Sequence, residues 1–417
     1  MKFTGQTHRK RSLFTASLAA VVTMALAGCV PGGSTPDGGS SEGGGGLAGM
    51  EPMVLTISTL TGEAGTQGQA ASAFMKYVEE ETGGKVTFEP YWSSSLFSGA
   101  EALAQTGAGV ADIAISTVGQ SANELPIANY LLEFGAAIEE GHPFGLLQST
   151  AAVWDVTLNN PEVIAEYEAN GVHLLATSST TKTSMMCTKP VSDLASAAGK
   201  RARVSGPTWT AEAEAVGLAP QSLPPAESFE ALQRGILDCQ VQSATGLSQF
   251  GIPEVAKYFV DVPFSAYPGS NMMMNLDRWN SLPDEVKQIF TEGAVMGSIA
   301  DVERNTKLHR DFAENAATKQ GVIFTEAPEL VKAMRDAQAK RLENLAELAP
   351  DGLQDPEKLV KENLDSLDEW AKVLSDAGVP KTTSGFVEDA KLGTELKWQD
   401  ALREAMLKKI EGKYYTR

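Results

Sequence analysis

Between residues 53 and 116 the chain switches repeatedly between the two-residue period of a strand and the 3.6-residue period of a helix. This alternation restricts the fold more than any other feature. Residues 53–58 alternate apolar and polar side chains, and the turn Thr61-Gly62-Glu63-Ala64-Gly65 follows. Ala71, Phe74, Met75 and Val78 then share one helical face until Gly83-Gly84 stops the pattern. Residues 85–91 predict a strand, 101–106 a helix and 111–116 a third strand. Strand-helix-strand-helix-strand is the order of parallel α/β layering. Ligands of such sheets bind beyond the carboxyl ends of the strands, which puts Thr61 and Ser116 beside a cleft.

A second α/β run has strands predicted at 173–177, 184–189, 200–205 and 236–242. Helices at 208–216 and 227–234 accompany it, the latter with Phe229 and Leu232 inward. Met272-Met273-Met274 is a short strand of core-filling thioethers. Leu282-Pro283-Asp284-Glu285 opens the best-marked helix, with proline at its first position and carboxylates in its first turn. Val286, Ile289 and Phe290 give it a buried stripe, and it extends to about Lys319, long enough to brace two lobes. Further helices are expected at 328–348, 355–376 and 398–410.

Ahead of this body, Lys2, Arg9, Lys10 and Arg11 precede an uncharged run from Leu13 to Leu26, the order of a secretory signal. The run is too short to span a bilayer, which takes about 20 apolar residues. Leu26-Ala27-Gly28-Cys29 closes it and is similar to the lipobox of bacterial lipoproteins. The expectation is a signal peptide over 1–28, lipidation of Cys29, and a Gly/Ser tether over 29–50 that behaves as a flexible coil with a reach of roughly 25 Å.

The full chain has 34 basic and 53 acidic residues, a net charge of −19. Loss of 1–28 removes four basic residues and no acidic one, leaving 30 against 53, or −23. Such a surface is a poor partner for nucleic acid. The four histidines are His8, His142, His173 and His309, and no Gly-x-Ser-x-Gly, Walker, His-Glu-x-x-His or Cys-x-x-Cys motif occurs. No catalytic residue, metal ligand or cofactor is therefore assigned. His309, between Lys307 and Arg310, is expected on a solvated helix face, and His173 in a strand. Cys187 and Cys239 are either a disulfide or two buried thiols, and composition leaves both open.

Gly199-Lys200-Arg201-Ala202-Arg203-Val204 followed by Glu227-Ser228-Phe229-Glu230-Ala231-Leu232-Gln233-Arg234-Gly235-Ile236-Leu237-Asp238 resembles the central signature of TRAP (tripartite ATP-independent periplasmic) transporter solute-binding proteins. Val78-Glu79-Glu80-Glu81-Thr82-Gly83-Gly84-Lys85-Val86 and Trp279-Asn280-Ser281-Leu282-Pro283 match in the same order, so the resemblance covers roughly residues 53–340. It implies a two-lobed, type II-like periplasmic-binding-protein fold with hinge strands and a long bracing helix. The lobes would be 51–177 with 266–300, and 178–265 with 301–348. Residues 349–417, with Trp370, Trp398 and Tyr414-Tyr415, would form a helical C-terminal extension packed across them.

The resemblance also implies that Arg203 grips a ligand carboxylate, for which a guanidinium fork is the matching donor. Ser205-Gly206-Pro207 just beyond it starts a helix whose free amides favour an anion. Gln242 stands where the family commonly has asparagine, and Cys239 where it has glycine. Lys182 stands near a second basic clamp that many relatives have as arginine, a departure that favours a monocarboxylate. Trp209 and Phe229 either line the pocket or fill the core. The implied function is lipid-anchored, extracytoplasmic capture of a small organic acid for a TRAP-type membrane permease. The alternatives are service to an ABC importer or a sensor, and an extracytoplasmic hydrolase.

Overall fold

In the computed structural model, which describes residues 47–267, 269–381, 386 and 397–410, two mixed sheets frame the molecule. The segment 1–28, Cys29, the tether up to Gly46 and Tyr414-Tyr415 lie outside the described residues. The first sheet contains β1 (Met53–Thr59), β2 (Val86–Tyr91), β3 (Ile113–Thr117), β4 (Val172–Ser178) and β10 (Ser270–Asn275), in the order β2-β1-β3-β10-β4. The second contains β5 (Thr183–Cys187), β6 (Arg201–Val204), β7 (Ala219–Ser222), β8 (Cys239–Gln242), β9 (Tyr258–Phe264) and β11 (Ile323–Thr325), in the order β11-β9-β5-β8-β6-β7.

One strand in each sheet runs against the others. β10 lies antiparallel between β3 and β4, with Met272 facing Ile115 and Ala176 in register. β5 lies antiparallel between β8 and β9, with Cys187 facing Cys239 and Tyr258. Both reversed strands follow a passage of the chain from one sheet to the other, β4 to β5 outward and β9 to β10 on return. The two passages are bonded together, because the Tyr267 amide donates to Thr180 Oγ1 at 2.9 Å. Cys187 and Cys239 are disulfide-bonded across β5 and β8.

The helix Thr66–Glu81 follows from its sequence. Ala70, Ala71, Phe74 and Val78 are buried along one face, and Gly83 and Gly84 leave it at φ 61° and 78°. In that left-handed region glycine has no Cβ to clash, so the helix stops there. Phe74 meets Phe88 of β2 edge-on at 5.6 Å and Phe290 of the helix Asp284–Lys319 at 5.4 Å. Phe74 and Phe290 are fully buried and contribute about 1.5–3 kcal/mol each. Gly297 lets the two helices approach closely, since a Cβ there would stand 3.0 Å from the Ala70 carbonyl oxygen.

The helix Asp284–Lys319 serves both sheets. Val286, Phe290, Val295 and Val302 belong to the large apolar cluster that takes in Leu55 and Ile113 of the first sheet and reaches Val204 and Val241 of the second. Phe312 and Ala316 belong to a second cluster with Met186 and Phe259 of the second sheet and Leu247 of the helix Ala244–Gln249. His309 on this helix departs from expectation: it is 6 % exposed and stacked on His142 at 4.2 Å. Its neighbours along the helix are charged, but His142 and Phe386 cover the ring from elsewhere in the fold. His173 lies in β4, stacked on Trp279.

One further expectation is amended. Coil was expected as far as residue 50, but Leu47–Gly49 forms a 3-10 turn. Lys85 Nζ donates to the Leu47 and Ala48 carbonyls at 2.7 and 2.8 Å, and the Leu47 amide to Glu285 at 2.8 Å. Among residues beyond 349, the helix Pro356–Asp376 packs on the helix Phe144–Asn159, where Gln148 donates to the Leu367 carbonyl at 3.0 Å. The helix Gln399–Ile410 lies on the helices Asp284–Lys319 and Phe144–Asn159, and Trp370, Trp398 and Met406 are buried with it.

Candidate ligand cleft

Strand ends from both sheets converge on one cleft of about 120 Å³. From the first sheet come Thr61 after β1, Thr117 ending β3, and Ser178 ending β4. From the second come Arg203 in β6, Ser205 after it, and Gln242 ending β8. At roughly 10–15 Å³ for each water-sized occupant, the space accepts on the order of ten heavy atoms.

Arg203 is the central charge. It is 2 % exposed, its Nε donates to the Leu223 carbonyl at 2.8 Å, and its Nη1 has no hydrogen-bond partner. Burial pushes the guanidinium pKa down to about 10, against a smaller opposing influence of Tyr267, so the group is charged at neutral pH. A buried cation with an unused donor is costly unless an anion meets it. Fixing Nε on a backbone carbonyl holds the fork in place for such an anion.

Tyr267, on the return passage between β9 and β10, crosses the cleft. Its hydroxyl accepts from the Gly119 amide at 3.0 Å and lies 3.3 Å from Ser205 Oγ. Burial raises its pKa, while Ser205, Arg203 and the Gly119 amide oppose that rise. Trp209 tilts against its ring at 5.0 Å and donates Nε1 to the Ser265 carbonyl at 2.9 Å. Trp209 therefore lines the cleft and fills core at once. On the opposite wall, the Thr66 amide donates to Gln249 Oε1 at 3.2 Å, joining the helix after β1 to the helix after β8. Gln242 Oε1 accepts from the Ser243 amide at 3.1 Å.

Of the residues singled out from sequence, Thr61, Arg203, Ser205, Trp209 and Gln242 come together here. Ser116 does not, because it is buried in β3 opposite Asn271, and strand alternation hands the cleft position to Thr117. Phe229 is half-buried against the cluster around the second sheet. Lys182 lies in a separate cavity of about 200 Å³ with Glu140, His142, Asp261 and Arg335, bonded to Glu140 at 3.2 Å. Sequence reasoning missed Tyr267, Gln67, Gln249 and the buried acid Asp301. The signal for Asp301 was an acid on a helix stretch whose neighbours Val295, Ile299 and Val302 are apolar.

The model of the family described as bacterial extracellular solute-binding protein, family 7 (DctP), matches residues 57–348. The C4-dicarboxylate-binding periplasmic protein DctP of Rhodobacter capsulatus is 24% identical over 294 residues, 69% of this chain and 79% of its own. Among solved structures, the Bordetella pertussis extracytoplasmic solute receptor DctP7, which binds pyroglutamic acid, superposes with a TM-score of 0.63. It is 20% identical, over 76% of this chain and 99% of its own. The periplasmic ectoine-binding protein of the TeaABC TRAP transporter of Halomonas elongata gives 0.65 at 19% identity, over 76% of this chain and all (100%) of its own. The two-sheet α/β architecture is thus the two-lobed periplasmic-binding-protein fold.

Proposed function

The chain belongs to family 7 of the bacterial extracellular solute-binding proteins, and on that premise we propose that its cleft captures a small organic acid by the carboxylate and delivers it to a TRAP-type membrane permease. The observation that carries the reading is Arg203, buried, charged and with Nη1 unpartnered in the cleft wall. A carboxylate there gains a charge-assisted bond of about 1.5–3 kcal/mol. Relatives that bind pyroglutamic acid or C4-dicarboxylates support an acid as the cargo. Ser205, Gln242, Thr61 and Trp209 are the neighbouring contacts in this proposal.

The proposed lobes are 51–177 with 266–300 and 178–265 with 301–348, the residues 349–417 forming an extension. The placement of the two passages after β4 and β9 supports that division. Ligand contacts made from both sides at once favour the closed arrangement. The protein acts as a receptor and performs no chemistry on its cargo. The lipobox Leu26-Ala27-Gly28-Cys29 supports anchoring through a lipidated Cys29 after removal of 1–28. Mass spectrometry of the mature N-terminal peptide checks the anchor, and Cys29→Ala should release the protein from the membrane.

Native mass spectrometry of protein purified from its own host identifies retained acid. Calorimetry with wild type and Arg203→Ala then tests the site: the variant should lose binding and the ligand-induced rise in melting temperature while remaining folded. Undiminished affinity in the variant removes Arg203 from the role and the carboxylate reading with it.

A further inference from the structure

Among the described residues lining the cleft, three are titratable: Arg203, Tyr267 and Asp301. Asp301 lies on the helix Asp284–Lys319, is 5 % exposed, and belongs to the wall that also carries Asn305 one turn on. The hydroxyls of Thr66, opening the helix after β1, and Ser178, ending β4, hydrogen-bond to it. No cation does. Arg203 forms no ion pair with it among the described residues, and Arg304, three residues on, donates its Nε to the Ala64 carbonyl at 2.6 Å. The cleft therefore holds one unpartnered cation and one acid served only by hydroxyls, contributed by β6 and by the long helix.

We propose that Asp301 is a second anchor and that the cargo is a small monocarboxylate bearing an ammonium or other N–H donor, its carboxylate on Arg203 and its nitrogen on Asp301. The proposal rests on the organic-acid reading of the cleft. Opposite charges at two places in one cavity complement a zwitterion, whereas a dicarboxylate brings a second anion with no second cation to receive it and an acid in the wall. The volume of about 120 Å³ suits a molecule of this size. Burial holds the Asp301 carboxyl up at about 7, against the Ser178 and Thr66 hydroxyls. An arriving ammonium favours the ionised form, so zwitterion binding near neutral pH expels a proton from Asp301 to solvent.

The test uses matched pairs that differ only at nitrogen: L-proline with cyclopentanecarboxylate, 2-aminobutyrate with butyrate, and pyroglutamate with its lactone analogue, alongside succinate. Calorimetry of the whole protein should show at least one nitrogen-bearing member binding about 10- to 100-fold more tightly than its counterpart, and more tightly than succinate. For an ammonium ligand, binding heats at pH 7 should vary with buffer ionisation enthalpy in the direction of proton release. Asp301→Asn should abolish the proton release and collapse the ratio within the pair. Equal affinities within every pair, or a ratio and proton release that survive in Asp301→Asn, overturn the proposal. If acids bind in an Arg203-dependent way with no preference for nitrogen, Asp301 alone is refuted. If no acid binds, the reading of the cleft falls with it.

Discussion

Tyr267 and Thr180 hold each other across the two passages between the sheets. The Tyr267 amide donates to Thr180 Oγ1 at 2.9 Å, and the Thr180 amide donates to the Tyr267 carbonyl at 3.3 Å. This exchange aims the Tyr267 ring at the cleft, where its hydroxyl receives the Gly119 amide from the first sheet's side and meets Ser205 from the second's. Tyr267→Phe keeps the ring against Trp209 and removes that bridge. Calorimetry should show binding of the retained acid weakened about tenfold, as the loss of one buried hydrogen bond costs roughly 1–3 kcal/mol. Unaltered affinity would take the hydroxyl out of the site.

The disulfide joins residues 52 apart in sequence on adjacent strands of the second sheet. Closing a loop of that length stabilises the folded chain by about 2–4 kcal/mol. The double variant Cys187→Ser, Cys239→Ser should therefore unfold at lower denaturant than wild type. Adding reductant to wild type should reproduce the shift, and alkylation mass spectrometry should find both thiols only after reduction.

Buried histidines make the fold acid-sensitive. Burial lowers the His309 pKa to about 4, and burial followed by repulsion from His309 holds that of His142 well below the usual imidazole value. A group with a depressed folded pKa stabilises above its unfolded value of about 6.5 and loses that contribution as pH falls toward the folded value. Asp301 acts in the opposite direction, since its raised pKa favours the folded state as pH falls below about 7. The His309 contribution is isolated by comparison with His309→Phe. The melting temperature of the variant relative to wild type should rise steadily between pH 6.5 and 4, and a pH-independent difference would contradict the assignment.

Glu133 is buried and receives Arg341 through both guanidinium branches and the Thr208 hydroxyl at 2.9 Å. The cluster ties the helix Pro328–Glu343 to the helix Gly206–Ala215. Removing the acid strands a half-buried arginine. Glu133→Ala should cost about 3 kcal/mol in chemical denaturation, and Arg341→Met in the same background should recover part of the loss.

The first α/β run was legible because its elements alternate apolar and polar residues at clean periods and end in glycines such as Gly83 and Gly84. The helix Phe144–Asn159 was not, because Phe144 through Leu158 are all buried and an all-round apolar segment has no periodicity to detect. The short edge strands β7 and β11, with four and three residues, carry too little pattern to stand out. Arg203, which lines the cleft, was singled out through the family resemblance that includes residues 199–204. Asp301 and Tyr267 were not, since their partners Thr66, Ser178, Gly119 and Ser205 come from distant stretches of chain. His309 was misplaced for the same reason: its burial is supplied by His142 and Phe386, which share no local pattern with it.

The clasp of Lys85 and Glu285 on Leu47 and Ala48 has a mechanical meaning. A pull arriving along the backbone ahead of Leu47 is taken up by the edge of the first sheet and the opening turn of the long helix. The entry of the chain into β1 is thereby fixed both at the first sheet's edge and at the start of the long helix.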